Sequence, residues 1–304
     1  MHKFTKSEVI GIIELLVCTA IWGLAFVAQK KASENITPLY LNGIRFFIAG
    51  FLLIPIVIYV IKKKKATTLS VSKTIFIGFL TGLFLAIASN IQQFGIERTT
   101  AGKAGFLTAM YIVLVPIFTF IVFKKKLSVM QIIGIVIAVV GLALISLKRD
   151  FTINAGDLLC MLGAVFFTIE IMIVDYYSKK IDPFLLSMIC FLTVGVLSIT
   201  LAIPFETKTF SFEKLGNAIV PLLFLAICSS CIAYTLQNLG QKRIDGTKAS
   251  LLLSLESVFA LIFGIIILSD RLNINEWIGC VLLLSGVFIV QIFARKEKTE
   301  ETPS

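Results

Sequence analysis

Histidine and charged side chains are scarce in this sequence. Its 304 residues include a single histidine, His2, and only 15% are Asp, Glu, Lys or Arg, whereas a soluble globular protein carries about 25%. The chain contains neither the H-E-x-x-H motif of zinc proteases nor the G-x-S-x-G motif of serine hydrolases, and it has no P-loop. We therefore expect neither of these enzyme chemistries, no ATP hydrolysis, and no cofactor or metal.

Long hydrophobic runs dominate the sequence instead. Hydrophobic residues make up 58% of the chain and the mean hydropathy is +0.97. They fall in blocks of about 20 residues, the length that an α-helix needs to cross a bilayer. We predict an all-α integral membrane protein with ten transmembrane helices, at about 9–28, 39–61, 74–96, 101–123, 127–147, 156–177, 184–205, 218–240, 247–268 and 274–294. These helices use nearly the whole chain, so no soluble domain is expected beside them.

Basic residues are distributed unevenly between the predicted helices. If the N-terminus is cytoplasmic, 18 of the 28 Lys and Arg residues lie in cytoplasmic segments and nine in external ones, while Arg45 lies within a helix. Cytoplasmic loops of membrane proteins carry such an excess of Lys and Arg. Topology therefore explains the net charge of +10 better than nucleic-acid binding does. We predict a multi-pass protein of the plasma membrane with both termini in the cytoplasm.

The second half of the chain repeats the first at a constant offset of 145 residues. The stretch QQFGIERTTAGKAGFL, 92–107, corresponds to QNLGQKRIDGTKASLL, 237–252. The same offset, without a gap, aligns Gly11 with Gly156, Pro38 with Pro183, Gly50 with Gly195, Gly95 with Gly240, and Gly141 with Gly286. One register kept over most of the chain indicates an internal duplication.

The duplication divides the ten predicted helices into two five-helix repeats. We predict one repeat in residues 1–150 and the other in residues 151–304, which include a short cytoplasmic tail. Because five is an odd number, the second repeat must enter the membrane from the opposite side. Inverted repeats of this kind are typical of secondary transporters.

Four stretches of the sequence resemble one family of membrane proteins. They are AIWGLAFVAQKKA (20–32), TPLYLNGIRF (37–46), TTAGKAGFLTAMYIVLVPIF (99–118) and SLESVFALIFG (254–264). Together they resemble the EamA-type branch of the drug/metabolite transporter superfamily, over essentially the whole chain. The resemblance implies a ten-helix carrier that alternates access to a central cavity between the two repeats. It implies no particular substrate, because members carry amino acids, other small metabolites, organic cations or drugs, in either direction.

Four ionisable side chains lie within the predicted helices: Glu14, Arg45, Glu170 and Glu256. Charged groups inside a bilayer are costly and by default mark a functional site. At about 1.5 Å per residue, Glu256 lies near the midplane, Glu14 and Glu170 in the cytoplasmic half, and Arg45 in the outer half. Their counterparts at the offset of 145 are uncharged, so the repeated scaffold carries an asymmetric set of charges.

Helical spacing places the polar residues of several predicted helices in stripes, which should face the bundle interior because lipid offers them no partner. The predicted solute-binding residues are Glu256, Trp22, Tyr234, Glu14, Glu170, Tyr111, Asn90, Gln93, Gln237 and Arg45. The alternative is that these side chains only form hydrogen bonds that hold the helices together. Arg45, near an interface, can equally snorkel to the surface or pair with an acid.

The function that these observations favour is secondary transport of a small organic solute, by a monomer or homodimer in the lipid bilayer. A channel-like or regulatory membrane protein and an intramembrane enzyme are the alternatives. No loop of the sequence resembles a selectivity filter, which disfavours a channel.

The intramembrane charges also bear on the solute and its coupling. Three acids against one base, with Trp22, Tyr111 and Tyr234 nearby, suit a cationic or zwitterionic amine, because aromatic faces attract ammonium groups. Burial disfavours the charged form of Glu256 unless a cation lies close. A carboxyl group that is neutral when alone and charged when occupied can exchange a proton for a cationic solute. The alternative is that Glu256 is only a packing residue.

Overall fold

The computed structural model describes residues 5–63, 67–99, 101–124, 127–146, 154–268 and 274–293. Within these ranges every regular element is helical, apart from one isolated β-bridge between Thr67 and Ile181. Among the described residues, seven helical segments are long and apolar enough to cross a membrane: Lys6–Ala32, Pro38–Lys62, Val71–Arg98, Ala104–Phe123, Ala155–Tyr177, Pro183–Glu206 and Ile219–Arg243. Val129–Leu144 and Trp277–Val290 are shorter apolar helices. This architecture confirms the predicted all-α membrane class.

We number the α-helices in chain order. They are α1 (Lys6–Ala32), α2 (Pro38–Lys62), α3 (Val71–Arg98), α4 (Ala101–Ala109), α5 (Tyr111–Phe123), α6 (Val129–Ser146), α7 (Ala155–Tyr177), α8 (Pro183–Glu206), α9 (Phe212–Asn217), α10 (Ile219–Phe224), α11 (Tyr234–Arg243), α12 (Gly246–Leu253), α13 (Glu256–Leu268) and α14 (Ile274–Phe293). A π-helix, Leu225–Ala233, joins α10 to α11, and a 3₁₀ turn, Thr207–Thr209, follows α8.

The surface of the bundle is apolar and its interior holds polar groups. Large hydrophobic side chains are exposed along several helices, for example Phe76 at 62% and Phe288 at 65%. Gln93, Gln237 and Glu256 are buried. This distribution suits a hydrocarbon surrounding, where amides and carboxylates find partners only inside the protein. It confirms the expectation that these polar side chains face the bundle interior.

Two segments that were predicted as continuous helices are interrupted. The segment 101–123 breaks at Met110, between α4 and α5, and the segment 247–268 breaks at Ser254 and Leu255, between α12 and α13. Met110 and Leu255 are related by the offset of 145, so both repeats break at the same place. In transporters, discontinuous helices frequently form binding sites near the membrane midplane.

Tighter turns accompany both interruptions. The backbone N–H of Leu255 donates to the carbonyl of Leu252 at 3.1 Å, and that of Met110 donates to the carbonyl of Leu107 at 3.4 Å. Bonds that span three residues in place of four wind the chain more tightly than an α-helix. The hydrophobic pattern changes little at such a turn, so the sequence predicted one helix in each place.

The π-helix distinguishes the two repeats. Leu225–Ala233 corresponds, at the offset of 145, to residues 80–88, which lie in the uninterrupted α3. π-helices are rare and occur frequently at functional sites. The indole Nε1 of Trp22 donates to the carbonyl of Ser229 in the π-helix at 3.2 Å, so α1 is tied to this irregular segment.

Glycines set the closest approaches between helices. A Cβ placed on Gly156 would lie 2.8 Å from the carbonyl oxygen of Gly95, where α7 crosses α3. A Cβ placed on Gly240 would lie 3.2 Å from the carbonyl oxygen of Gly11, where α11 crosses α1. Small residues let membrane helices approach until their backbones touch. These crossings bring the polar faces of α1, α3, α7 and α11 together at the centre of the bundle.

Candidate functional site

A cavity lies where the interrupted helices meet α1, α7 and α11. The empty space at this site, including open solvent at its mouth, is about 490 Å³. Of the ten predicted solute-binding residues, seven line it: Trp22, Arg45, Tyr111, Glu170, Tyr234, Gln237 and Glu256. Residues separated by up to 234 positions in the chain are thus brought to one site.

The lining of the cavity is drawn evenly from the two repeats. Twelve of its sixteen residues form six pairs related by the offset of 145: Trp22 and Phe167, Ala25 and Glu170, Phe26 and Ile171, Gln92 and Gln237, Thr108 and Leu253, and Tyr111 and Glu256. The shape of the cavity therefore comes from equivalent positions, while its acids occur in the second repeat alone.

Glu256 begins α13 and faces its own counterpart from the first repeat. The hydroxyl of Tyr111, the first residue of α5, donates to Glu256 Oε1 at 3.1 Å, and both side chains are buried. The positive end of a helix dipole favours a carboxylate in its first turn. Tyr234 on α11 lines the same cavity as Glu256.

Glu170, in the middle of α7, belongs to a hydrogen-bond network that includes two amide side chains. The side chain of Gln237 donates to Glu170 Oε2 at 3.1 Å and to Gln241 Oε1 at 3.1 Å. Gln241 in turn donates to the carbonyl of Ile171 at 3.0 Å. Like Glu256, Glu170 is buried and lines the cavity, so the two carboxylates share one site.

Arg45 on α2 is buried in the cavity wall, with 2% of its surface exposed. The prediction that it can snorkel to an interface is therefore wrong. Its Nη1 donates to Gln29 Oε1 at 3.4 Å, its guanidinium carbon lies 4.8 Å from the centre of the Phe46 ring, and its Nε has no partner. Among the residues that the structure describes, no carboxylate lies within 4.0 Å of it.

Aromatic rings close one side of the cavity. The rings of Trp22 and Tyr234 meet edge to face with centroids 4.6 Å apart, and Phe46 lies 5.6 Å from Tyr234. Rings in this arrangement present faces that attract a cation. The aromatic cluster therefore lies beside both the carboxylates and Arg45.

Two predicted residues on α3 join helices outside the cavity lining. Asn90 accepts from the Asn42 amide at 2.8 Å and donates to the Ser198 hydroxyl at 2.8 Å. Gln93 donates to the Ser33 hydroxyl at 2.7 Å. These contacts correspond to the alternative that the sequence left open, in which buried amides hold the bundle together.

Glu14 is also placed away from the cavity lining. Its carboxylate pairs with the Arg243 guanidinium at 3.3 Å, and both side chains are partly exposed near one end of α1 and α11. In this structure Glu14 joins α1 to α11.

Several lining residues, among them Gln92, Thr108 and Phe167, were not among the predicted solute-binding residues, although helical spacing places Thr108 on the interior-facing stripe of Tyr111. Gln92 donates to the Thr108 hydroxyl at 2.9 Å. The repeat could have found two of them, because the offset of 145 maps Gln237 onto Gln92 and Trp22 onto Phe167.

Comparison with known proteins agrees with this architecture. A sequence model of the EamA-like transporter family matches the chain twice, over residues 9–147 and 154–292. An uncharacterized transporter of Archaeoglobus fulgidus is 31% identical over 278 residues, which cover 91% of this chain and 84% of that protein. A probable amino-acid metabolite efflux pump of Escherichia coli is 25% identical over 300 residues, covering 92% of this chain and 93% of that protein.

The fold is also shared with a solved structure. A crystal structure superposes with a TM-score of 0.75 at 16% sequence identity and covers 97% of this chain and 99% of that one. At this identity the similarity is evidence for the fold alone. The family match over both halves and the relatives named above show that this chain belongs to the EamA-like transporter family and is a multi-pass membrane transporter rather than an enzyme.

Proposed function

We propose that this transporter is a secondary-active carrier that moves a small organic solute, cationic or zwitterionic, by alternating access. The observation that carries the proposal is the composition of the cavity lining, twelve of whose sixteen residues are six pairs of repeat-related positions. A cavity that straddles two repeats opens to one side or the other when one repeat rocks against the other.

Ten transmembrane helices in two inverted five-helix repeats are part of this proposal. Reciprocal contacts support it: a Cβ on Gly50 would meet Leu192 at 2.7 Å, and a Cβ on Gly195 would meet Phe47 at 2.9 Å. Gly195 is the counterpart of Gly50, and Leu192 is the counterpart of Phe47. Each contact therefore has an equivalent in which both residues are replaced by their counterparts in the other repeat. Such paired contacts are expected when two repeats are related by a two-fold axis.

We place both termini in the cytoplasm of a plasma-membrane protein. One contact between loops and one between helix ends support the order of crossings. The backbone N–H of Thr68 donates to the carbonyl of Lys180 at 2.9 Å, and the Glu206 carboxylate, at the end of α8, accepts from the N–H of Leu39, at the start of α2, at 3.1 Å. The predicted topology puts the first pair of segments in the cytoplasm and the second pair outside. The excess of Lys and Arg then assigns the sides.

Glu256 is the residue that we assign to proton coupling. It is buried, it lines the cavity, and it accepts a hydrogen bond from Tyr111, a neutral donor and its own repeat counterpart. Exchange of its proton for a cationic group would link solute movement to the proton gradient. The similarity to a probable amino-acid metabolite efflux pump is compatible with an amine-bearing solute.

Flux into proteoliposomes that lack ATP tests the carrier proposal. The purified chain is reconstituted, and uptake of the twenty standard amino acids and a set of primary amines is measured against concentration. A carrier gives saturable uptake. Ala25→Trp fills the cavity from α1 and should abolish uptake, whereas Ile13→Trp, on an exposed part of α1, should not. Uptake that rises linearly with concentration would indicate a channel, and normal uptake by Ala25→Trp would place the path elsewhere.

A further inference from the structure

Arg45, on the cavity wall, does not use all of its N–H donors in hydrogen bonds. A guanidinium has five N–H donors and stays charged in proteins. Here Nη1 makes one long bond to the neutral Gln29 oxygen, at 3.4 Å, and the buried Nε has no partner. Burying an unpaired charge is costly. Such a charge on a cavity wall suits a ligand that itself carries the group that pairs with the guanidinium.

The cavity keeps its positive and negative groups apart. Arg45 comes from α2, and no carboxylate of the described residues lies within 4.0 Å of it. Glu170 and Glu256 are bonded to neutral donors, Gln237 and Tyr111, instead of to Arg45. The protein therefore uses neutral groups to position three ionisable side chains without letting the opposite charges neutralise each other.

Tyr234 lines the same cavity as Arg45, Glu170 and Glu256. Its ring lies 5.6 Å from that of Phe46, and the Arg45 guanidinium carbon lies 4.8 Å from the centre of the Phe46 ring. The Tyr234 ring also meets that of Trp22, with centroids 4.6 Å apart. A solute in this cavity would thus meet a cation, two carboxylates and aromatic rings.

We propose that Arg45, positioned by Gln29, is the subsite for an anionic group of the solute, and that the solute is a small zwitterion with a carboxylate and an ammonium group. The carboxylate pairs with the Arg45 guanidinium, whose fork suits two parallel hydrogen bonds. The ammonium group lies by the aromatic rings and the two acids. A simple amine would leave Arg45 unpaired, and a simple acid would bring no cation to Glu170 and Glu256. The inference rests on the proposed carrier function, and it separates zwitterions from cations.

Matched ligands test the subsite on the purified full-length chain. Binding is measured by thermal shift and by competition for uptake, with the twenty standard amino acids and two matched sets: L-leucine, 3-methylbutylamine and 4-methylpentanoate; L-phenylalanine, 2-phenylethylamine and 3-phenylpropanoate. We expect at least one amino acid to bind more tightly than the matched amine and the matched acid. Arg45→Gln should weaken binding of that amino acid by about 30-fold or more and leave binding of the amine unchanged or tighter.

Two further variants distinguish a loss of the Arg45 subsite from a loss of folding. Gln29→Leu keeps the charge of Arg45 but removes its positioning oxygen, and it should weaken the amino acid more than the amine. Arg98→Gln, at a guanidinium with a side chain 51% exposed, is the matched control and should leave both affinities unchanged. Retained amine binding shows that each variant is folded.

The inference is wrong if no amino acid of the panel binds, if amine and amino acid bind wild type alike, or if Arg45→Gln weakens both equally. Saturable uptake of an amine with no preference for the zwitterion would overturn the Arg45 subsite and leave the carrier function standing. Linear uptake of every compound would contradict the carrier function itself.

Discussion

At the residue scale, the two cavity carboxylates are held in different ways. Glu256 begins a half-helix and accepts from a tyrosine hydroxyl, whereas Glu170 lies within an uninterrupted helix and accepts from an amide. Burial opposes the charge of both, and the helix dipole favours it only at Glu256. At Glu256 a favourable effect on the charge therefore opposes the unfavourable effect of burial, whereas at Glu170 the helix dipole gives no such help. We assign the exchangeable proton to Glu256.

The substitution Glu256→Gln tests that assignment. Glutamine keeps an oxygen that can accept from Tyr111, so we expect expression and a melting temperature within about 2 °C of wild type, as for a change of under 0.5 kcal/mol. Proton-coupled flux should be lost, whereas exchange of solute across the membrane without net proton movement can persist. Flux into proteoliposomes with and without an imposed pH gradient measures this.

Glu213→Gln, at an exposed position on α9, is the matched control and should respond to the gradient as wild type does. If Glu256→Gln also responds as wild type does, Glu256 is a packing residue and the coupling mechanism is refuted.

Trp22 gives a second prediction for a single residue. Trp22→Phe keeps an aromatic ring beside Tyr234 but removes the indole N–H that donates to Ser229. Losing one part-buried hydrogen bond costs about 1 kcal/mol, so the variant should unfold at a lower temperature. Trp277→Phe, at a side chain 56% exposed, should not. Equal melting of the two variants would show that the bond to the π-helix contributes nothing.

At the element scale, the interruptions at equivalent places in the two repeats are the main feature. Proline is not their common cause: Pro116 lies within α5, but its counterpart at the offset of 145 is Leu261. In both repeats the second half-helix begins with a cavity residue, Tyr111 or Glu256. The interruptions thus bring the ends of two half-helices, with their dipoles, to the site.

Helix crossings at glycine give the prediction for elements. In Gly156→Ala the new Cβ would lie 2.7 Å from Arg98 Cβ and 2.8 Å from the Gly95 carbonyl oxygen. Because backbone atoms cannot easily move aside, we expect a loss of about 1–3 kcal/mol in the free energy of unfolding, seen in detergent by thermal denaturation. A Cβ on Gly216 meets nothing within 4 Å, so Gly216→Ala should be neutral or slightly stabilising. Similar melting of both variants would argue against the close crossing of α3 and α7.

At the scale of the whole molecule, topology is the property to test. With all six cysteines replaced, single cysteines are introduced at Lys63 and Lys208, which are both exposed. An impermeant maleimide should label Lys208→Cys in intact cells, because the proposed topology puts it outside. Lys63→Cys should be labelled only after the membrane is permeabilised. Labelling of Lys63→Cys in intact cells would reverse the proposed orientation.

Much of the architecture could be predicted from the sequence because two of the patterns used, the apolar blocks and the internal repeat, extend over many residues. Apolar blocks of membrane length survive local variation, and the helices α2, Pro38–Lys62, and α8, Pro183–Glu206, agree closely with the predicted 39–61 and 184–205. A constant offset of 145 likewise needs no single residue to be decisive. Ionisable residues inside apolar blocks are equally visible, and Arg45, Glu170 and Glu256 line the cavity.

Only the tertiary structure decided which polar residues face the cavity and which join helices. Successive residues of an α-helix point about 100° apart, so a stripe drawn from spacing alone leaves its direction open. On α3 the cavity receives Gln92, whereas its neighbour Gln93 turns to Ser33 and Asn90 to Asn42 and Ser198. The rotation of each helix is set by its neighbours, through glycine crossings and irregular turns whose contacts lie far apart in the chain. No local pattern in the sequence encodes that rotation.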